Sequence, residues 1–203
     1  MKSLYNIDEE RGIVMNFYVP VGISNRHVHL TKETYSLLFD EEPKKIADLK
    51  QGGEYVTDKV VSIEGPCGTI ENVKVLGPLR KYNQVEISSS DAFKLGLHPP
   101  VRRSGKLQRA EDITVVHLQK RVSLKEACIM AECHIHMNFD DLKHYGVEDD
   151  EVVDVVINGP RKGIMKAHIK ASENGFLEFH VDRDEASAFL LENQMELEVI
   201  RRR

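Results

Sequence analysis

The chain has 203 residues, 41% hydrophobic and 30% charged, with a net charge of −5. That length buries a core as one large or two small domains. The acidic balance argues against a general nucleic-acid binder, which needs a basic face for phosphate, and no apolar run approaches the roughly 20 residues of a membrane helix.

From the start of the chain, "MKSLYNIDEE" breaks any signal-peptide core with acids, and the segment up to Tyr18 reads as charge followed by a strand, not as an amphipathic helix. Short β-branched runs follow in order: "GIVMNFYVPVGI", "KVVSIEG", "TIENVKVLG", "QVEIS", "DITVVHL", "EVVDVVING", "GIMKAHIKA", "FLEFHV" and "MELEVI". Several alternate apolar and polar residues, and turn residues separate many of them, so strands are predicted. Short helices are predicted where a capping residue precedes a helical pattern: after Thr31, after Ser89 or Ser90, after Asn138 and after Asp182. The final "RRR" reads as a solvated tail. Cys67, Cys128 and Cys133 are odd in number and lack Cys-x-x-Cys spacing, which fits a reducing compartment.

Two stretches are alike: "SNRHVHLTKE" and "AECHIHMNFD" each place His-x-His, an apolar residue and a capped helix in succession. A second parallel links "SSDAFKLGLHPPVRRSG" with "NFDDLKHYGVEDDEVVDV". An approximate duplication into two similar β-domains is the expectation.

In an extended segment residues i and i+2 face one side, so His27 with His29, and His134 with His136, can each present two imidazoles to one point. Two such rings are half of a tetrahedral zinc site; they are also compatible with a hydrogen-bonded couple. Glu86, between Val85 and Ile87, and His180, between Phe179 and Val181, are candidate third ligands. A carboxylate in water at a sheet edge and a structural histidine are the plainer alternatives. Arg80 closes "GPLR", where a guanidinium suits phosphate, and Arg102, Arg103 and Ser104 form a loop suited either to an anion or to a plain turn.

Together "VPVGISNRHVHLTKE", "VLGPLRKYNQVEISSSDAFKLGL", "PPVRRSG", "CHIHM" and "FHVDRDEASA" resemble the PduL-type phosphotransacylases, the phosphate propanoyltransferases, from about Val19 to Ala188. The resemblance implies a mainly β protein: two β-barrels capped by short helices, interleaved in sequence, with a two-zinc site between them. One barrel would take residues 12–25 plus 132–203 and the other 26–131. It implies that His27, His29 and Glu86 hold one zinc and that His134, His136 and His180 hold the other, with Arg80 as the catalytic arginine. Asn25, Arg102 and Ser104 are expected at the substrate.

The implied reaction interconverts acyl-CoA plus phosphate with acyl phosphate plus CoA, on propionyl- or acetyl-CoA, by direct attack of phosphate on the thioester. Expected pathway neighbours are an aldehyde dehydrogenase that forms acyl-CoA and a kinase that consumes acyl phosphate. Neither nucleic acid nor membrane is an expected partner, a homo-oligomer is compatible, and the setting is the cytoplasm, free or within a bacterial microcompartment. Where the family carries arginine before "HIHM" this chain has Cys133, either a small buried residue or an extra thiolate ligand. A zinc-dependent thioesterase and a noncatalytic zinc-stabilised scaffold are the competing readings.

Overall fold

The computed structural model describes residues 5–8 and 12–201, with side chains from residue 16 onward. The readings made on Met1–Leu4 and Glu9–Arg11, and on Arg202 and Arg203 of the tail, lie outside the described residues. Arg201 is described and is no free tail: it ends a strand and pairs with Glu151.

Among the described residues, fifteen strands and four two-turn helices run in the order β1 (Tyr5–Asp8), β2 (Gly12–Ile23), β3 (His27–Thr31), α1 (Lys32–Leu38), β4 (Lys45–Asp48), β5 (Tyr55–Gly65), β6 (Gly68–Arg80), β7 (Gln84–Glu86), α2 (Ser89–Leu95), β8 (Val101–Arg102), β9 (Glu111–His117), β10 (Lys120–Ala131), β11 (His134–Met137), α3 (Phe139–Tyr145), β12 (Val152–Ile157), β13 (Gly163–Ala171), β14 (Glu178–Val181), α4 (Arg183–Phe189) and β15 (Glu196–Arg201). Two closed six-strand barrels result, so the protein is mainly β. Among the described residues no helix is long and apolar enough to cross a membrane.

The chain divides into two compact units, Met1–Ser24 with Cys133–Arg203, and Asn25–Glu132. In the second, the ring runs β5-β6-β3-β7-β10-β9 and closes by β9 on β5. In the first it runs β12-β13-β11-β14-β2-β15 and closes by β15 on β12. The sense of pairing is the same around both rings. Each His-x-His strand is parallel to one neighbour and antiparallel to the other: β3 to β6 and β7, β11 to β13 and β14. The short strand β7 or β14 is then parallel to β10 or β2. Closure pairs the backbone groups that an open edge would leave unmet.

Each barrel buries its own apolar core. Val28, Leu30, Val85, Ile63 and Leu95 are fully enclosed in one, and Ile135, Met137, Phe179, Ile169 and Val199 in the other. Burying each such side chain stabilises by about 1.5–3 kcal/mol.

The helix starts at Thr31, Asn138 and Asp182 are capped as expected, whereas α2 is capped by Ser88, ahead of the Ser89 or Ser90 expected, because the Ser88 hydroxyl reaches the Asp91 amide. The second sequence parallel also needs correction. By topology α3 matches α1, each following a His-x-His strand, and α2 matches α4, each following the short strand antiparallel to it. Strand β10 stands where "HLQKRVSLKEA" shows no clean alternation, because a bulge between Leu124 and Cys128 shifts its register.

Candidate metal centres

Four short stretches share one five-residue pattern: His27-Val28-His29-Leu30-Thr31, Gln84-Val85-Glu86-Ile87-Ser88, His134-Ile135-His136-Met137-Asn138 and Glu178-Phe179-His180-Val181-Asp182. In each, the second and fourth residues are buried apolar side chains and the fifth is a helix N-cap. The pleat therefore sends the first and third residues to the opposite face from the core anchors, and the cap turns the chain immediately afterwards.

Antiparallel pairing then sets two stretches against each other in each barrel. His27 faces Glu86 and His29 faces Gln84; His134 faces His180 and His136 faces Glu178. In one barrel the donor atoms of His27, His29 and Glu86 all lie within 4.8 Å of one another, and in the other so do those of His134, His136 and His180. Glu86 is on no sheet edge, since β7 runs between β3 and β10.

The surroundings fit a zinc-type cation. The Nδ1 of His27 meets the Asn25 carbonyl at 2.8 Å, which fixes the proton there and leaves Nε2 as a lone pair 3.5 Å from Glu86 Oε2. The Nε2 atoms of His134 and His136 are 3.0 Å apart. Two donors on a tetrahedral zinc with bonds of about 2.0–2.1 Å are separated by roughly 3.3 Å, so both spacings suit. Burial, with the neighbouring His134 and His180, holds the His136 ring well below the ordinary histidine range and hence neutral, the form that ligates. His168 stacks on His134 with centroids 5.4 Å apart.

Arg80, at the end of β6, is held by Glu54, by the Tyr82 hydroxyl at 3.2 Å and by Ser104 Oγ at 3.3 Å. Ser104 also accepts from Gln84 Nε2 at 2.8 Å, and Gln84 Nε2 donates to Glu86 Oε1 at 2.6 Å. A continuous chain thus runs Arg80, Ser104, Gln84, Glu86. Arg102 lies apart from it, with its guanidinium on the Val101 and Gln108 carbonyls.

Three neighbours, Arg26, Gln84 and Glu178, were not legible as site residues. Arg26 forks onto Asp91 with two contacts of 2.7 Å and pins the start of β3 to α2. Gln84 and Glu178 occupy the first position of their five-residue stretches, the repeat that would have flagged them. Cys133 donates its thiol to Glu185 Oε1 at 2.9 Å, and burial together with that carboxylate pushes the thiol well above its ordinary range. It is half-buried, packed on the core and belongs to neither donor triad.

Fold and donor sets define a double β-barrel protein with a compact metal-type triad in each barrel. The family model described as phosphate propanoyltransferase matches residues 20–192. Curated relatives named phosphate propanoyltransferase include those of Thermotoga maritima, 46% identical over 84% of this chain and 83% of the relative, and Rhodobacter capsulatus, 43% identical over 86% and 83%. That of Rhodopseudomonas palustris is 38% identical over 87% of this chain and 80% of its own. The chain belongs to the phosphate propanoyltransferase family and is an enzyme of the phosphotransacylase class.

Proposed function

We propose that the protein transfers a short acyl group, propionyl or acetyl, between coenzyme A and phosphate, with zinc held at both donor triads. The observation that carries this reading is the presence of one compact donor triad in each barrel of a chain whose relatives are named for phosphate and propanoyl transfer. His27, His29 and Glu86 would hold one ion, and His134, His136 and His180 the other. Zinc at such sites supplies Lewis acidity to carbonyl and phosphoryl oxygens and neutralises a departing thiolate.

The chain's own residues do the rest. Arg80 offers a planar fork for phosphate, and its bonds to Tyr82 and Ser104 orient that fork before substrate arrives. Glu54, now on the guanidinium, occupies the place of an anion and yields it to phosphate. A phosphate oxygen attacks the thioester carbon, the carbon–sulfur bond breaks, and coenzyme A leaves as thiolate. Arg80 balances the negative charge that accumulates meanwhile. Asn25 steadies His27 through its carbonyl, and Ser104 couples Arg80 to Gln84. No residue of the chain needs to be acylated.

The test is thioester loss from propionyl- and acetyl-CoA by zinc-loaded protein, with and without phosphate. Loss that requires phosphate and yields acyl phosphate is the expected result. Equal loss without phosphate would make the protein a thioesterase, and two bound zincs without turnover would make it a scaffold.

A further inference from the structure

Each barrel's donor frame has four corners, and a triad uses three. The remaining corner is Gln84 in one barrel and Glu178 in the other, opposite His29 and His136 respectively. Both are buried, at 0% and 5% exposure, although neither belongs to a triad. Each also bonds the donor two residues ahead on its own strand: Gln84 Nε2 reaches Glu86 Oε1 at 2.6 Å, and Glu178 Oε2 meets His180 Nε2 at 2.6 Å.

Charge is distributed differently over the two frames. Around His27, His29 and Glu86 the carboxylate is a triad member and the fourth corner is a neutral amide. Around His134, His136 and His180 the triad is three imidazoles and the carboxyl group stands at the fourth corner. Each frame therefore contains one carboxyl group, inside the triad in one barrel and outside it in the other.

Resting on the two-zinc reading, we propose that Glu178 is the positioning carboxylate of the three-histidine site. It holds one ring nitrogen of His180, leaves the other for the metal, and supplies from outside the triad the charge that Glu86 supplies from inside its own. A carboxylate bonded to a ligating imidazole fixes its tautomer and raises its basicity. A buried carboxylate without such a task would be costly to keep.

The fold makes room for it. Gly22 of β2 pairs with His180, and a Cβ there would sit 2.5 Å from the Glu178 carboxyl carbon and Oε2. Gln194 Nε2 donates to the other oxygen, Oε1, at 3.3 Å, which orients the group.

The experiment measures zinc affinity of the full-length wild type, Glu178→Gln and Gly22→Ala by competition with a chromophoric chelator, and records the visible spectrum of each loaded with cobalt. Circular dichroism of the metal-free proteins checks folding. Wild type is expected to hold two zincs. Glu178→Gln, which keeps the shape and removes the charge, should hold one as tightly as wild type and the other 10–100-fold more weakly, with an altered cobalt spectrum. Gly22→Ala, which crowds the carboxylate and leaves its charge, should weaken the same ion, and it decides the matter if Glu178→Gln does not fold. Wild-type affinity at both sites with unchanged spectra overturns the role of Glu178 and leaves two zincs standing. A wild type without tightly held zinc overturns the two-zinc reading, and the role of Glu178 with it.

Discussion

His27 stands directly opposite Glu86 in the β3–β7 register, its Nε2 3.5 Å from Oε2 while its Nδ1 is engaged by the Asn25 carbonyl. One face of the ring is thereby committed to the backbone and the other to the carboxylate. Glu86→Gln preserves this packing and removes the anionic donor. Zinc affinity of that triad should fall at least as far as the 10–100-fold typical of losing an outer partner, read by chelator competition. Unchanged affinity would remove Glu86 from the donor set.

Arg80 and Ser104 are separable by magnitude. Arg80→Lys keeps a charge but loses the fork, so kcat should drop on the order of 10²–10³-fold, as for an oriented transition-state donor. Ser104→Ala removes one shared hydroxyl, worth about 1 kcal/mol, or roughly fivefold in kcat. Steady-state kinetics with phosphate varied distinguishes the two, and equal losses would mean that Arg80 acts only through the Ser104 chain.

Asp182 both caps α4 and ends the stretch that carries His180. Its side chain accepts from the Glu185 amide, while its own amide donates to Glu185 Oε2; the other Glu185 oxygen holds the Cys133 thiol. Asp182→Ala should cost about 0.5–2 kcal/mol in urea unfolding. Glu185→Ala keeps that cap but loses the reciprocal bond to the Asp182 amide and the thiol contact, and should cost a similar amount.

Stability should decline at alkaline pH, and Tyr35 and Cys128 are two of the buried groups that contribute. Burial, with the charges of Asp58, Glu42 and Glu41 behind it, pushes the Tyr35 hydroxyl up to about 12 from 10, and burial pushes the Cys128 thiol up to about 12 from 9. Both ionise more readily when unfolded, so their contribution is whole below pH 9 and is lost as pH rises through 12. Urea midpoints between pH 8 and 12 should show this fall, and Tyr35→Phe should flatten the part above pH 10. An identical slope in the variant would exclude Tyr35 as a source.

Much of the local architecture was readable because it is set by neighbours in sequence. Alternation exposes His27 with His29 and His134 with His136 on one strand face, and the oxygens of Thr31, Asn138 and Asp182 announce the helices that follow. Strand β10 escaped because its bulge breaks the alternation on which strand reading depends. Gln84 and Glu178 escaped for another reason: their stretches match the His-x-His stretches in the apolar alternates and the cap, not in the polar residue itself, so the repeat is faint.

The amino-acid order by itself determined which side chains share a face and where each strand turns into a helix, since both follow from the two-residue pleat and from caps within one turn. Only the tertiary structure decided which faces meet. Barrel closure sets β7 against β3 and β14 against β11, bringing Glu86 to His27 and His180 to His134 across long stretches of chain. That choice rests on burying the apolar alternates, Val28 beside Val85 and Ile135 beside Phe179. A slip of one residue would turn those alternates out of the core and the donors into it.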